Sequence, residues 1–361
     1  MTQLELKSVS KSFGAYKVFE ELDLQAQAGE IVVIFGGSGT GKTILLRLIA
    51  GVQEPTSGTI EIEGQDVADI APEHRSVGMA FQNFALFPHM SALENIATPL
   101  VAQKAGTAAV KAGVDKVAKL LKIDHVLDHA PRELSNGQKQ RTALARALAA
   151  EPRILLLDDP LRNVDAKLRF EMRIELPRLL RQTGATVLYV TQDYKEAMAL
   201  GDRIAVLASG KFVQIATPED IYLRPANLSV ASLFGDPSIN TSETAVEMTG
   251  KTISIRLGGV QVAVDSAYKP YVGRAVTFGV RPESVELAGP KSIGLAATVM
   301  AVTPLNERTV LLLKSEGGWE FLASLPSSSS NIPKPGANVK ATFQSGGTHL
   351  FDRTTGERFH G

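Results

Sequence analysis

The chain has 361 residues, 44% of them hydrophobic, with 38 basic and 38 acidic side chains and no cysteine. That length is comfortable for two domains with real cores, and the zero net charge speaks against a polyanion such as nucleic acid as a partner. Without cysteine there are no disulfides, thiol nucleophiles or zinc–thiolate sites, in keeping with a reducing compartment.

The first thirteen residues, Met1 to Phe13, alternate polar and apolar side chains and lack the basic-then-apolar order of a signal peptide. Nowhere do apolar residues approach an eighteen-residue run, so the chain is not expected to cross a membrane by itself. Residues 1 to 235 read as an α/β domain. Short apolar strands at Ile31–Phe35, Ile154–Leu157, Thr186–Val190 and Ile204–Leu207 alternate with amphipathic stretches, the pattern of a parallel sheet covered by helices.

The first of these strands runs into Gly36-Gly37-Ser38-Gly39-Thr40-Gly41-Lys42-Thr43, then a helix that continues through Ile44 with Leu45, Leu46, Leu48 and Ile49. This is the G-x-x-x-x-G-K-[ST] phosphate loop in its strand–loop–helix setting. Glycines let backbone N–H groups curl around phosphate oxygens, and the helix N-terminus adds donors and a favourable dipole. Lys42 supplies a cation between the terminal phosphates, and the Thr43 hydroxyl suits Mg²⁺, which prefers oxygen. An NTP site is therefore expected.

Between the loop and the second strand, a helix is expected over Gln138–Ala150, after the turn Ser135-Asn136-Gly137, with Leu144, Ala147 and Leu148 on one face. The strand Ile154–Leu157 then ends in Asp158-Asp159-Pro160. The carboxyl end of a central parallel strand opens toward the nucleotide, so Asp158 is expected to hold Mg²⁺ through water. Asp159 sits where a general base or a water-positioning carboxylate belongs.

Composition shifts near Phe234-Gly235-Asp236-Pro237, and residues 236 to 361 read as a second, all-β domain. Short alternating strands are expected at Ile253–Leu257, Val260–Val264, Val276–Val280, Ala297–Val302, Thr309–Leu313 and Val339–Phe343, punctuated by turns such as Pro326-Ser327-Ser328-Ser329-Ser330. The expectation is a small barrel with OB-like connections.

Leu134-Ser135-Asn136-Gly137-Gln138-Lys139-Gln140-Arg141 closely resembles the LSGGQ signature of ABC ATPases. Gln82, within Phe81-Gln82-Asn83-Phe84-Ala85-Leu86-Phe87-Pro88-His89, looks like that family's Q-loop. Asn163-Val164-Asp165 looks like its D-loop, Thr191-Gln192-Asp193 occupies the H-loop position, and Phe13 resembles the aromatic that stacks on adenine. Gly279-Val280-Arg281-Pro282-Glu283 and His349-Leu350-Phe351-Asp352 resemble the C-terminal TOBE domain of carbohydrate-importer ATPases, and Phe234 to Pro237 resembles their domain junction.

The resemblance implies a transport ATPase that binds ATP through Phe13, the loop Gly36 to Ile44, Gln82 and Asp158, with Mg²⁺ on Thr43, Gln82 and Asp158. It implies catalytic roles for Asp159, Gln192 and Gln82, and places Ser135, Asn136, Gly137 and Gln138 over nucleotide held by a second ATPase subunit. Members of this group sit peripherally on the cytoplasmic face of the cell membrane and work in pairs. They drive two transmembrane permease subunits, here expected to dock near Gln82 to His89, which receive solute from an extracytoplasmic binding protein. The C-terminal barrel of relatives helps the two copies associate and receives regulatory signals. Sugars, polyols and glycerol come first among solutes, with polyamines, ferric iron and sulfate also open.

Departures from the family pattern cluster in the catalytic machinery. Asp159 stands for the usual Glu, Gln192 for His, Asn136 for the first signature Gly, Arg162 for the Ser before the D-loop Asn, and His129 for the usual basic residue. The shorter acid retreats by roughly 1 to 1.5 Å, on the order of 10²-fold in a positioned reaction. Gln192 can hydrogen-bond a phosphate oxygen but carries no positive charge. Two readings stand. One is an active importer ATPase that tolerates the changes, in a homodimer. The other, favoured here, is a partly degenerate site in a heterodimer, at its limit a nucleotide-gated structural partner of an active subunit. A soluble ABC protein of translation or DNA repair would carry two cassettes or a long coiled-coil insertion, and the signature excludes a P-loop kinase.

Overall fold

The computed structural model describes residues 1–289, 294–329 and 331–360. Ser330, at the end of the expected Ser-rich turn, lies outside them. The chain divides into two compact units, Met1–Pro218 and Glu219–Gly361.

In the first unit the elements run β1 (Thr2–Phe13), β2 (Tyr16–Gln27), β3 (Ile31–Phe35), α1 (Lys42–Ile49), β4 (Ser57–Ile62), β5 (Gln65–Asp66), β6 (Val77–Ala80), α2 (Ala92–Ala102) and α3 (Thr107–Leu120). Then come α4 (Asn136–Leu148), β7 (Ile154–Asp158), α5 (Ala166–Thr183), β8 (Thr186–Thr191), α6 (Tyr194–Leu200), β9 (Arg203–Ala208) and β10 (Lys211–Ala216). A six-stranded sheet of order β10-β9-β3-β8-β7-β6 is parallel except for β10, which pairs antiparallel with β9. Every residue of β3, β7 and β8 is buried, which is why their sequences are apolar without alternation: such strands are covered on both faces.

A second, four-stranded antiparallel sheet, β2-β1-β4-β5, was not anticipated as a separate layer. Its long strands contain register shifts, for example between Leu6 and Val9, and each bulge interrupts the period of two that would betray a strand. One core joins the two sheets and α1 through Leu4, Phe19, Val32, Ile34, Leu46 and Leu156. Helix α4 follows the expected helix, starting and ending two residues earlier, with Leu144, Ala147 and Leu148 buried.

Register fixes where the chemistry falls. β8 lies between β3 and β7, with Phe35 beside Thr191 and Asp158 beside Val190. The phosphate loop after β3, Gln192 after β8 and Asp159 after β7 therefore leave the same edge of the sheet, side by side.

Among the described residues the second unit is β-rich, with two short α-helices, α7 (Pro218–Leu223) and α8 (Leu228–Leu233), and a few 3-10 turns. Strands β11 (Asn240–Thr249), β12 (Thr252–Leu257), β13 (Val260–Ala263), β14 (Ala275–Val280), β15 (Val285–Ala288), β16 (Leu295–Pro304), β17 (Arg308–Ser315), β18 (Glu320–Pro326), β19 (Asn338–Phe343) and β20 (Thr348–Asp352) form two antiparallel five-stranded sheets, β13-β12-β11-β14-β20 and β15-β19-β16-β17-β18. Both contribute to one core, including Ile255, Phe278, Leu311, Phe321 and Leu350. The unit begins before the composition shift at 234 to 237. Arg281 explains this: its guanidinium donates to the carbonyls of Tyr222 at 3.0 Å, Ala231 at 2.8 Å and Phe234, stapling residues 219 to 235 to the β-rich unit.

Candidate functional site

The phosphate loop is a preformed cradle. Gly41, the residue before α1, has φ +93°, a left-handed conformation, and a β-carbon there would stand 2.5 Å from Val18 Cγ1. A β-carbon at Gly36 would meet the Leu207 carbonyl oxygen at 2.5 Å. Crowding requires glycine at both positions, and at Gly41 the backbone conformation requires it as well. Lys42 is buried, and its Nζ donates to the carbonyls of Gly36 at 2.8 Å and Gly37 at 2.6 Å, folding back across the loop.

The loop walls a cavity of about 310 Å³ that is also lined by Gln82, Asp158, Asp159, Arg162 and Gln192. The Thr43 hydroxyl donates to Asp158 Oδ1 at 3.0 Å. A hydroxyl and a carboxylate held this close, with the Gln82 amide on the same cavity, form an oxygen donor set that fits Mg²⁺. Burial raises the pKa of Asp158, opposed by the Thr43 hydrogen bond and by Arg47 and Lys42. Burial also lowers that of Lys42, opposed by Asp159 and Asp158.

Asp159 is buried in a left-handed backbone conformation, φ +45°. Its Oδ2 lies 3.5 Å from Gln192 Nε2 and 3.8 Å from Arg162 Nη1. Burial raises the pKa of Asp159, and the Arg162 and Lys42 charges work against that rise. So the three departures Asp159, Gln192 and Arg162 are one physical cluster, although they are scattered over more than thirty positions of sequence. Arg162 was recognisable only as a departure; that its cation faces Asp159 is a tertiary fact.

Not every expected nucleotide residue lines this cavity. Tyr16 and Val18 do and Phe13 does not; Phe13 is 48% exposed, with Lys11 Nζ 4.9 Å from its ring centre. Phe13 and Tyr16 pair across the turn between β1 and β2, so the hairpin presents two aromatic rings. Two aromatics flanking Gly14-Ala15 were the available signal for Tyr16. Ser135, Asn136, Gly137 and Gln138 also lie off the cavity. They start α4 as a capping box, Gln138 N–H donating to Ser135 Oγ at 3.3 Å and Ser135 N–H to Gln138 Oε1 at 2.9 Å. Ser135 and Asn136 are exposed.

Comparison with known proteins bears on this geometry. The ABC transporter family pattern matches residues 19–162. The chain is 38% identical, over 99% of both chains, to the sn-glycerol-3-phosphate import ATP-binding protein UgpC of Yersinia pseudotuberculosis. The chain belongs to the ABC transporter ATP-binding family. It is likewise 39% identical, over 99% of both chains, to the trehalose/maltose import ATP-binding protein MalK of Thermococcus litoralis. Among solved structures, a dimeric ATP-binding cassette in a post-hydrolysis state bound to ADP and Pi superposes with TM-score 0.54 and 31% identity, covering 60% of this chain and 98% of that one. The second unit of this ABC ATPase matches the MalK OB fold domain over 235–285 and the TOBE domain over 278–351, the barrel class expected.

The segment around Gln82 borders a groove of about 670 Å³ lined by Phe81, Ala85, Phe87, Pro99 and Arg146, among others. Arg146 donates to the carbonyls of Ala85 at 2.7 Å and Phe84 at 3.1 Å, and its guanidinium lies 5.7 Å from the centre of the Phe87 ring. Phe84 and Ala85 both have positive φ. Phe87 is 44% exposed and lines this groove. Among the described residues, no helix is long and apolar enough to cross a membrane.

Proposed function

We propose that this ABC ATPase energises import of a small polar solute of the sugar, polyol or glycerol class. The single observation that carries this reading is full-length likeness to two import ATP-binding proteins. The chain works peripherally at the cytoplasmic face of the cell membrane, with Met1–Pro218 as the nucleotide-binding domain and Glu219–Gly361, which takes in residues 219 to 235, as a regulatory and dimerisation domain. Two permease subunits dock in the groove at Phe81 to Phe87, fed by an extracytoplasmic binding protein.

Within this reading, ATP phosphates lie on Gly36 to Ile44, and Lys42 exchanges its carbonyl contacts for phosphate oxygens. Thr43, Asp158 and Gln82 would hold Mg²⁺, whose charge offsets that of the phosphates. Phe13 and Tyr16 cover the base. Asp159 orients the attacking water, and Gln192 hydrogen-bonds the terminal phosphate. Ser135 to Gln138 close over nucleotide on the partner, because an exposed helix N-terminus offers donors to an anion.

Hydrolysis in this chain's own site is slow. Asp159 is the shorter acid and is drawn to Arg162 at 3.8 Å, while Gln192 brings no charge. The partner is a different ATPase subunit. In a homodimer both sites would carry Asp159, Gln192 and Asn136; in a heterodimer the partner's own acid and histidine serve one site. The test is reconstitution with the co-purifying permease subunits in proteoliposomes. ATP-dependent uptake is expected for at least one of maltose, trehalose, glycerol and sn-glycerol-3-phosphate. Uptake restricted to polyamines, ferric iron or sulfate would refute the solute class.

A further inference from the structure

The second unit encloses a cavity of about 770 Å³, more than twice the volume at the phosphate loop. It is lined by strands of both sheets: β13, β14 and β20 from one, β16 and β19 from the other. Most of the wall is apolar, including Val260, Val262, Phe278, Leu295 and Phe343. Charged and basic side chains break that pattern: Arg224, Asp265, His349 and Arg358.

His349 is 4% exposed, and its Nε2 is buried without a hydrogen-bond partner. The Nε of Arg358 is likewise buried and unpartnered, and no carboxylate pairs with that guanidinium among the described residues. A buried donor left unmade costs about 1 to 3 kcal/mol, more when charged. Native structures rarely leave two together unless something else satisfies them. Arg281 also acts electrostatically on His349; its two terminal nitrogens donate to backbone carbonyls, while its Nε is buried without a partner. The other charged side chains on the cavity are accounted for: Arg224 is paired with Asp220, and Asp265 accepts from Ala267 N–H at 2.9 Å. Arg281 and Arg358 make the field at His349 positive; Asp265 is the one carboxylate among the described residues on the cavity wall, and no ion pair joins it to Arg358 among them.

We propose that this cavity binds a small organic anion, its oxyanion head on His349 and Arg358 and its apolar body against Val260, Val262, Phe278 and Phe343. Neither nitrogen is open to the cavity as it stands, so the anion draws both side chains toward its head, Arg358 presenting the planar fork that suits phosphate or carboxylate. The apolar walls select against bare inorganic anions, which cannot use them. Burial, then Arg281 and Arg358, lower the pKa of His349 to about 4, so its imidazole is neutral at pH 6. An anion there reverses the sign of the local field, so binding is accompanied by proton uptake at His349. The site is separate from the nucleotide chemistry and does not rest on the import reading.

The experiment is calorimetric titration of the full chain at pH 6 with four probes: hexanoate, hexyl phosphate, 1-hexanol and inorganic phosphate. Hexanoate or hexyl phosphate is expected to bind. Which of the two binds more tightly tells a carboxylate source from a phosphate ester. 1-Hexanol and inorganic phosphate are expected to bind at least about tenfold more weakly, since losing a charge-assisted contact or the apolar wall each costs about that factor. Repeating the titration in buffers of different ionisation enthalpy should show proton uptake, absent in His349→Gln. Arg358→Gln should weaken the anion at least about tenfold, with ATP affinity unchanged as the check on folding; Arg358→Lys should retain part of the affinity. Equal binding of 1-hexanol would overturn the anion assignment, equal binding of inorganic phosphate would overturn the apolar one, and no heat with any probe would overturn the site.

Discussion

Replacing Asp159 with Glu and Gln192 with His should turn a slow ATPase into a faster one. In the structure Asp159 Oδ2 sits 3.5 Å from Gln192 Nε2 and 3.8 Å from Arg162 Nη1, so the carboxylate is occupied within its own cluster. One added methylene carries the carboxylate about 1.5 Å further into the cavity. Displacement on that scale is worth on the order of 10²-fold in a positioned reaction, about 2.7 kcal/mol of barrier. Histidine adds a group that can carry charge at the terminal phosphate. The left-handed φ of Asp159 suits Asp better than Glu, so Asp159→Glu is expected to lose a little thermal stability while gaining rate. Steady-state phosphate release from the purified chain, both single variants and the double variant should rise stepwise toward about 10²-fold, with ATP affinity unchanged. A parent chain as fast as a complete transporter, or a double variant no faster at equal affinity, would refute the degenerate-site reasoning.

Lys42→Ala should weaken ATP at least about tenfold, because it removes both the phosphate cation and the loop-folding contacts to Gly36 and Gly37; unchanged affinity by fluorescence titration would sink the phosphate-loop assignment. Phe13→Ala should remove a base-stacking face worth about 1 to 3 kcal/mol, and Tyr16→Ala should cost less; the reverse order would hand the base to Tyr16. Glu196 is buried under Tyr189 Oη at 2.8 Å and Thr191 Oγ1 at 2.9 Å, and burial pushes its pKa up to about 7 from 4.5. The folded state thus binds the extra proton between those values. Its contribution is complete below pH 4.5 and is lost as pH rises through about 7, a span of about 3 kcal/mol. Glu196→Gln should flatten that slope in denaturant melts taken from pH 5 to 8, and a slope unchanged by the substitution would contradict it.

Much of this was legible because the signals are local. The strands before the phosphate loop and before Asp158 are runs of apolar residues, and the loop itself is read from eight consecutive positions. The signature announces α4 through its own capping box. What stayed hidden depends on distant partners. The β1–β2 sheet is bulged, so its alternation breaks. The unit boundary is set by Arg281 reaching back to Tyr222, Ala231 and Phe234. That Arg162 faces Asp159, and that His349 and Arg358 meet on one cavity, are products of tertiary packing that no spacing rule encodes.

The division of labour between two unlike ATPase subunits is tested most directly by the intact mass of the assembled transporter. Closed homodimers are the default for soluble assemblies, so the claim runs against the ordinary expectation. Native mass measurement of the complex purified with its permease subunits in the presence of ATP is expected to show one copy of this chain and one of a different ATP-binding subunit. Two copies of this chain with no second ATPase would contradict it.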